Sequence, residues 1–339
     1  MAGIPSAGSA PTLEMVAARA GVSRATVSRV VNGSPKVSPD VVAVVQEAIA
    51  ALNYVPNRAA RSLASRRTQA IALVVPESTA KVFNDPFFAT LVQGIGLALA
   101  DTEYTLSMLI ESEAAFDKTR RYLLGGNVDG ALVASHHTGD HSYAHVSRSL
   151  PVVFGGRPLD PSEQVNHTVD VDNAHGAELA GDHLVERGRR RIAAIAGPQD
   201  MPPGVDRLRG WQRSLERAAL PIGLVEYGDF SPASGAEAMR RLLAREPEID
   251  GVFAANDQMA IGAYTAILET GRSIPGDVAV VGFDNDQYAA MAVPPLTTVH
   301  QPSLEMGEVM ARTLVRLIAG DDVPATTLLP TRLVVRQSS

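Results

Sequence analysis

The chain has 339 residues, of which 45% are hydrophobic and 20% charged, enough for a small domain beside a larger two-lobed one. With no cysteine it has no disulfide framework and no thiol chemistry, and no apolar run approaches the roughly 20 residues that span a bilayer. The net charge of −7 hides a division: residues 1–69 hold eight Lys/Arg against three Asp/Glu, so a basic head precedes an acidic body, the balance expected of a nucleic-acid reader joined to a sensor.

The opening MAGIPSAGSAP lacks the basic region and apolar core of a secretory signal, so residues 1–11 read as a disordered lead-in to a cytoplasmic protein. From Thr12, the text TLEMVAARAGVSRATVSRVVN reads as two short helices around a tight turn. Leu13, Val16, Ala17 and Ala20 form one apolar stripe, and Gly21 can take the left-handed conformation that ends the first helix. Ser23 can cap the second helix, with Val27, Val30 and Val31 inward. Its outward face carries Arg24, Thr26, Ser28, Arg29 and Asn32, all donors and none acidic, as a helix seated in a major groove requires. Ser38-Pro39-Asp40 starts a third helix, with Val41, Val44, Val45, Ala48 and Leu52 as its stripe and Asn53 at its end.

LNYVPNRAARSLASRRT follows, and Asn57 can cap a short helix from Arg58 to about Ser65. A helix this short is marginal alone, so it forms only when something packs on it. The ordered match of TLEMVAARAGVSRATVSRVVNG and VSPDVVAVVQEAIAALNYVPNRAARSLA means that the chain resembles the lactose-repressor (LacI/GalR) family of bacterial transcription regulators. The resemblance implies a helix-turn-helix head at 12–56, after the disordered residues 1–11, and a hinge helix and linker at 57–69. It makes Arg24, Ala25 and Arg29 the base-reading positions. Thr12, Ser23, Thr26, Ser28 and Asn32 would contact phosphate, and Asn57, Arg58, Ala60 and Leu63 would serve the hinge, with Leu63 as a wedge between central base pairs.

From Ala70 the character changes. The apolar runs 70–75, 105–110, 130–134, 152–154, 168–171, 192–196, 251–255 and 278–283 read as strands. The amphipathic runs 87–100, 114–124, 174–187, 207–218, 233–245, 257–269 and 303–318 read as helices. Such alternation argues for parallel sheets with helices on both faces. NVDGALVAS at 127–135 echoes EIDGVFAAN at 248–256, which suggests two similar lobes. The resemblance implies the same fold class: a small all-α head, a hinge helix, and a two-lobed α/β sensor like the type I periplasmic binding proteins over 70–339. Lobe one is placed at about 70–166 and 303–322, and lobe two at about 167–300 and 323–336.

Ligands of open α/β sheets bind beyond the carboxyl ends of the strands. Those ends supply Phe87, Phe88, His136, Arg157, Arg207, Phe230, Asn256 and Asp284 as candidate ligand residues. Arg207 can donate a parallel pair of bonds to vicinal hydroxyls, Asp284 can accept from two hydroxyls, and a phenylalanine can cover a sugar ring. In the resembled family Arg207 of DRLRGW, Asn256 of AAND and Asp284 after VVGF are ligand contacts. Some members carry an aromatic where Ser303 stands here, which leaves the pocket width open. The bunched His136, His137, His141 and His145 match no zinc spacing and read as a polar loop at the cleft mouth. No nucleophile elbow, phosphate loop, dinucleotide motif or calcium loop appears, so neither an enzyme nor a resident cofactor or metal is expected. The expectation is a homodimeric repressor of carbohydrate genes, released from a palindromic operator by a mono- or disaccharide. The alternatives are the same head with a purine or sugar-phosphate corepressor, or an α/β enzyme that lacks a catalytic constellation. RLVVRQSS shows no leucine heptad, so a dimer rather than a tetramer is expected, and no membrane partner.

Overall fold

The computed structural model describes residues 11–31, 33–55, 67–110, 116–135, 137, 142–159 and 166–339. The chain divides into two units, Met1–Gln69 and Ala70–Ser339. The lead-in up to residue 10 and the expected hinge helix, with Asn57, Arg58, Ala60 and Leu63, lie outside the described residues, as do Asn32 and His136.

In the head, helices span Leu13–Ala20, Arg24–Val31 and Pro39–Leu52. The Thr12 side chain caps the first by accepting from the Met15 N–H, and Gly21 ends it at φ 66°. Ser23 Oγ accepts from the Thr26 N–H at 3.1 Å and so starts the second. Val16, Ala17, Ala20, Val27, Val45, Ala48 and Tyr54 form the core. Two expectations need correction. Val44 is 47% exposed, because it lies at the edge of the third helix's stripe and Ile49 packs instead. Ser38 precedes that helix in an extended conformation, but its side chain makes no cap bond, and Pro39 provides the start.

The body holds two six-stranded sheets. The first is ordered β11-β5-β4-β3-β1-β2, from β1 (Ala70–Val75), β2 (Thr105–Ile110), β3 (Gly130–Ala134), β4 (Val152–Gly155), β5 (Thr168–Val171) and β11 (Thr326–Leu329). The second is ordered β12-β10-β9-β8-β6-β7, from β6 (Ile192–Ala196), β7 (Val225–Tyr227), β8 (Gly251–Ala254), β9 (Ala279–Asp284), β10 (Thr297–His300) and β12 (Arg332–Val334). The orders superimpose strand for strand, and β3 and β8, which carry the echoed text, occupy the same place. Residues 71–75 and 279–283 are all buried, as parallel strands covered on both faces should be. Each sheet separates two apolar clusters.

The lobe limits differ from the expected ones. β5 pairs with β4, and β11 pairs with β5, so both strands belong to the first sheet although lobe two was expected from 167 and over 323–336. The chain therefore crosses between lobes three times, after β5, after β10 and between β11 and β12. Neighbours in the sheet decided this, because both strands are apolar enough to fit either lobe. The helix expected to begin at Arg207 begins at Pro202 and runs to Arg217. Pro202 and Pro203 fit its start, because a first helical turn has no intrahelical use for their missing N–H groups. Arg207 consequently sits in the second turn.

Candidate functional site

In the head, Ser23, Arg24, Ala25 and Arg29 are exposed, and Thr26 and Ser28 are half-buried. Val27 is fully buried. Val27, with Val30 and Val31 packed beside it, holds the helix by its back and leaves the donor face outward. Arg24 pairs with Glu14 at 3.1 Å, both well exposed, a contact worth little in water and readily exchanged for a phosphate.

In the body, a cleft with about 720 Å³ of unfilled space, partly open to solvent, lies at the carboxyl ends of both sheets. Phe87, Phe88, Arg207, Phe230, Asn256 and Asp284, all proposed from sequence, line it together. Asp85 and Ser135, from the loops after the first and third strands, line it too, as do Lys81, Asp170, Asn173 and Gln301. Asp85 precedes Pro86-Phe87 and caps the Pro86–Leu99 helix by accepting from the Phe87 N–H at 3.0 Å. Asn173 and Gln301 gave no signal, since both act through Arg207.

The Arg207 guanidinium is 3% exposed and spent on the protein. Nε donates to Asn173 Oδ1 at 2.8 Å, and Nη1 to the Ala255 carbonyl at 2.6 Å and to Asp284 Oδ1 at 3.3 Å. Nη2 donates to Gln301 Oε1. Four of its five N–H donors are used, so the expected parallel pair to vicinal hydroxyls is not free. The carbon of the guanidinium also lies 3.8 Å above the Phe283 ring. Arg207 thus organises the wall: it fixes two amides and one carboxylate, and burial lowers its pKa while Asp284 opposes the fall.

Asp284 Oδ1 meets Arg207, whereas Oδ2 has no protein donor among the described residues. Burial raises the Asp284 carboxyl to about 8, with Arg207 opposing and Asp85 adding to the rise. Burial likewise raises Asp85, whose second oxygen is open. Behind them Asp257 is fully buried and raised well above the usual carboxylate range, first by burial and then by Asp284. Its oxygens accept from the Thr298 hydroxyl and the Asp286 N–H. A Cβ on Gly282 would collide with the Asp257 carboxylate, which explains glycine there. Asp284 and Asp85 therefore each present a carboxyl oxygen to the cleft, and among the described residues the wall is poor in free cations.

Asn256 lines the cleft, but its amide is committed. Its Oδ1 caps the Asp257–Glu269 helix through the Met259 N–H, and its Nδ2 donates to the Phe230 carbonyl at 2.9 Å. It positions Phe230, which stands at φ 71° with its ring against Gly197, where any Cβ would clash. Ser135 and Asp284 are at positive φ as well, 62° and 110°. Such conformations cost on the order of 1–3 kcal/mol each and gather at binding sites.

Arg157 does not line the cleft. Its Nη2 is held by Asp206 at 2.6–2.7 Å, which joins the β4 loop to the second lobe. On the other flank His137 reaches Glu77 at 3.1 Å and, across the lobes, Asp200 at 2.8 Å. The hydrogen bond to Glu77, with further help from Asp200, raises His137 to about 9. Lys81 and the Ser135 hydroxyl complete the ring around Glu77, at 2.8 and 2.7 Å. Ser303 is buried at its helix start and does not line the cleft. Among the described residues, no group of three or more His, Cys, Asp or Glu is arranged to hold a metal. No helix of the described residues is long and apolar enough to cross a membrane.

Comparison with known proteins fits this division of labour. Residues 12–57 match the family model "Bacterial regulatory proteins, lacI family", and residues 181–339 match a "Periplasmic binding protein-like domain". The HTH-type transcriptional regulator CelR of Thermobifida fusca is 48% identical over 97% of this chain and 98% of its own. The ribose operon repressor of Escherichia coli K12 is 33% identical over 97% and 99%. The transcriptional repressor PurR of Proteus mirabilis is 36% identical over 96% of each. Among solved structures, a CelR–cellobiose complex aligns over 97% of this chain and all of its own, at 46% identity and a TM-score of 0.77. The lac repressor dimer bound to operator and the anti-inducer ONPF aligns over 97% and 98%, at 30% identity and 0.85. With these relatives matching nearly end to end, the chain belongs to the lacI family of bacterial regulatory proteins, and it is a DNA-binding transcriptional regulator and not an enzyme.

Proposed function

We propose that this regulator is a homodimeric cytoplasmic repressor whose effector is a neutral saccharide of one or two rings, with no resident cofactor. The observation that carries this reading is the carboxyl pair, Asp284 and Asp85, each with one oxygen that takes no hydrogen bond among the described residues, beside an arginine already spent on protein groups. A polyol hydroxyl both donates and accepts, so it can meet such a carboxyl with or without its proton, and Phe87, Phe88 or Phe230 can cover the apolar face of a ring. A sugar phosphate would need a free cation, but Arg157 is tied to Asp206 and Arg207 to four acceptors. The relative that is 46% identical and described as a cellobiose complex supports the same class.

In this reading Arg24 and Arg29 meet guanine O6 and N7, and Ala25 meets a thymine methyl or leaves room. Thr12, Ser23, Thr26, Ser28 and Asn32 hold phosphates. The segment with Asn57, Arg58, Ala60 and Leu63 is the two-state element that DNA and sugar both bias. A thermal-shift screen of the full chain against mono- and disaccharides tests the effector class. Ligand at 100 times its Kd adds about 2.7 kcal/mol to stability. A screen in which only purines or phosphorylated sugars raise the melting temperature would refute the reading. Leu63→Ala should leave sugar binding intact and weaken operator bending, and bending unchanged by circular-permutation assay would remove the wedge.

A further inference from the structure

Asp284 and Asn285 are consecutive non-glycine residues at positive φ, 110° and 60°. The left-handed region disfavours side chains, so something must hold the pair there. Three anchors surround it. The Asp284 carbonyl accepts from the Gln301 N–H at 3.1 Å. The Asp286 N–H donates to Asp257 Oδ2 at 2.9 Å, and Asp286 then caps the Gln287–Met291 helix. Between these, the Asn285 side chain is gripped at both ends. Its Oδ1 accepts from Arg336 Nη2 at 2.6 Å, and its Nδ2 lies 3.3 Å from His300 Nδ1. Burial lowers His300 first, which favours the neutral ring that can accept this bond.

Arg336 comes from the segment after the last strand, 51 positions from Asn285. It is fixed in turn, since Nη1 donates to the Leu296 carbonyl at 2.7 Å and its N–H to Thr297 Oγ1 at 2.9 Å. It lines no part of the cleft. We propose that Arg336 is a positioning residue for the effector: by bracing Asn285 in the left-handed conformation it sets the Asp284 carboxylate against Arg207 with one oxygen free for the ligand. The brace acts through the backbone of one residue, because a relaxed Asn285 would rotate the Asp284 carboxylate away from the cleft. This assignment rests on the saccharide reading above.

The test is a double-mutant cycle on the full chain with Arg336→Ala, Asn285→Gly and both. Glycine takes positive φ without penalty, so it should make the brace unnecessary. Cellobiose and D-ribose serve as probes by calorimetry. Arg336→Ala should weaken binding of the responsive sugar about tenfold, and the added Asn285→Gly should bring it back to within about threefold. Operator affinity without sugar should stay constant. Unchanged sugar affinity in Arg336→Ala overturns the assignment, and so does a loss that glycine fails to restore, which would make Arg336 an anchor of the C-terminal segment only. Should neither sugar bind the native protein, the effector reading is decided separately by the wider saccharide screen, and melting temperatures decide the brace. Asn285→Gly should then stabilise the Arg336→Ala chain and not the native one, and an equal shift in both overturns it. If Arg336→Ala does not fold, Arg336→Lys, which keeps a donor, takes its place in the cycle.

Discussion

The second helix of the head and the lobe-two wall of the cleft are both donor- and acceptor-rich, yet they are built in opposite ways. The helix buries Val27 and leaves Arg24 and Arg29 in water with at most an exposed ion pair. The wall buries Arg207 and distributes its donors over Asn173, Ala255, Asp284 and Gln301. Exposed side chains can adapt to a partner and lose little when unbound. A buried polar set must be satisfied in advance, because an unpaired charge in a low dielectric is costly. One region reads a surface brought to it, and the other presents a fixed pattern from which only a few oxygens remain free.

Removing members of each region should expose that contrast. The largest effect is expected for Arg207→Ala, which strands the Asp284 carboxylate and two amides. It should cost about 3–5 kcal/mol of stability in urea unfolding, as breaking a buried pair does, and a chain with native stability would mean that the wall is not preorganised. Asp284→Ala should take about 1.5–3 kcal/mol from sugar affinity by calorimetry. Operator binding in its absence should survive, and normal sugar-dependent release in a gel-shift assay would place Asp284 outside the effector contacts. Arg29→Ala should cost on the order of 1–3 kcal/mol at the operator and relax one base position while leaving the melting curve alone. An equal loss on random DNA would make it a phosphate contact.

The smallest effect concerns the cleft rim, where exposure lies between the two extremes. His137 is raised to about 9 by its bond to Glu77, above the ordinary 6.5, so the folded state binds its proton more tightly than the unfolded state. The stabilisation is then complete below pH 6.5 and disappears as pH rises through about 9. His137→Gln should flatten that part of the melting-temperature profile, and an unchanged slope would assign the pH response to another group.

Much of the site was legible in the chain because strand ends are local features. The runs ending at Val75, Ala134, Ala196, Ala255 and Phe283 led to the loops that line the cleft, and Phe87, Phe88, Arg207, Asn256 and Asp284 came from reading them. Arg157 was misplaced for the same reason: its position after β4 suggested the cleft, and Asp206, 49 residues away, claims it. Asn256 was read as a ligand group, and the Phe230 carbonyl 26 residues away takes its amide. Lys81 was passed over because its partner, Glu77, meets it only once the loop after β1 has folded.

By itself the sequence determined the head, the alternation of strands and helices, and the pairing of two similar halves. Helical stripes, caps and apolar strands are set by residues within a few positions of one another. The tertiary structure alone decided that β5 and β11 join the first sheet and that the Asp284–Asn285 turn is braced from Arg336. It also decided that Arg207 is spent on four acceptors, one of them 94 residues away. Those outcomes depend on which donors meet which acceptors across the fold, because a buried polar group left without a partner is costly.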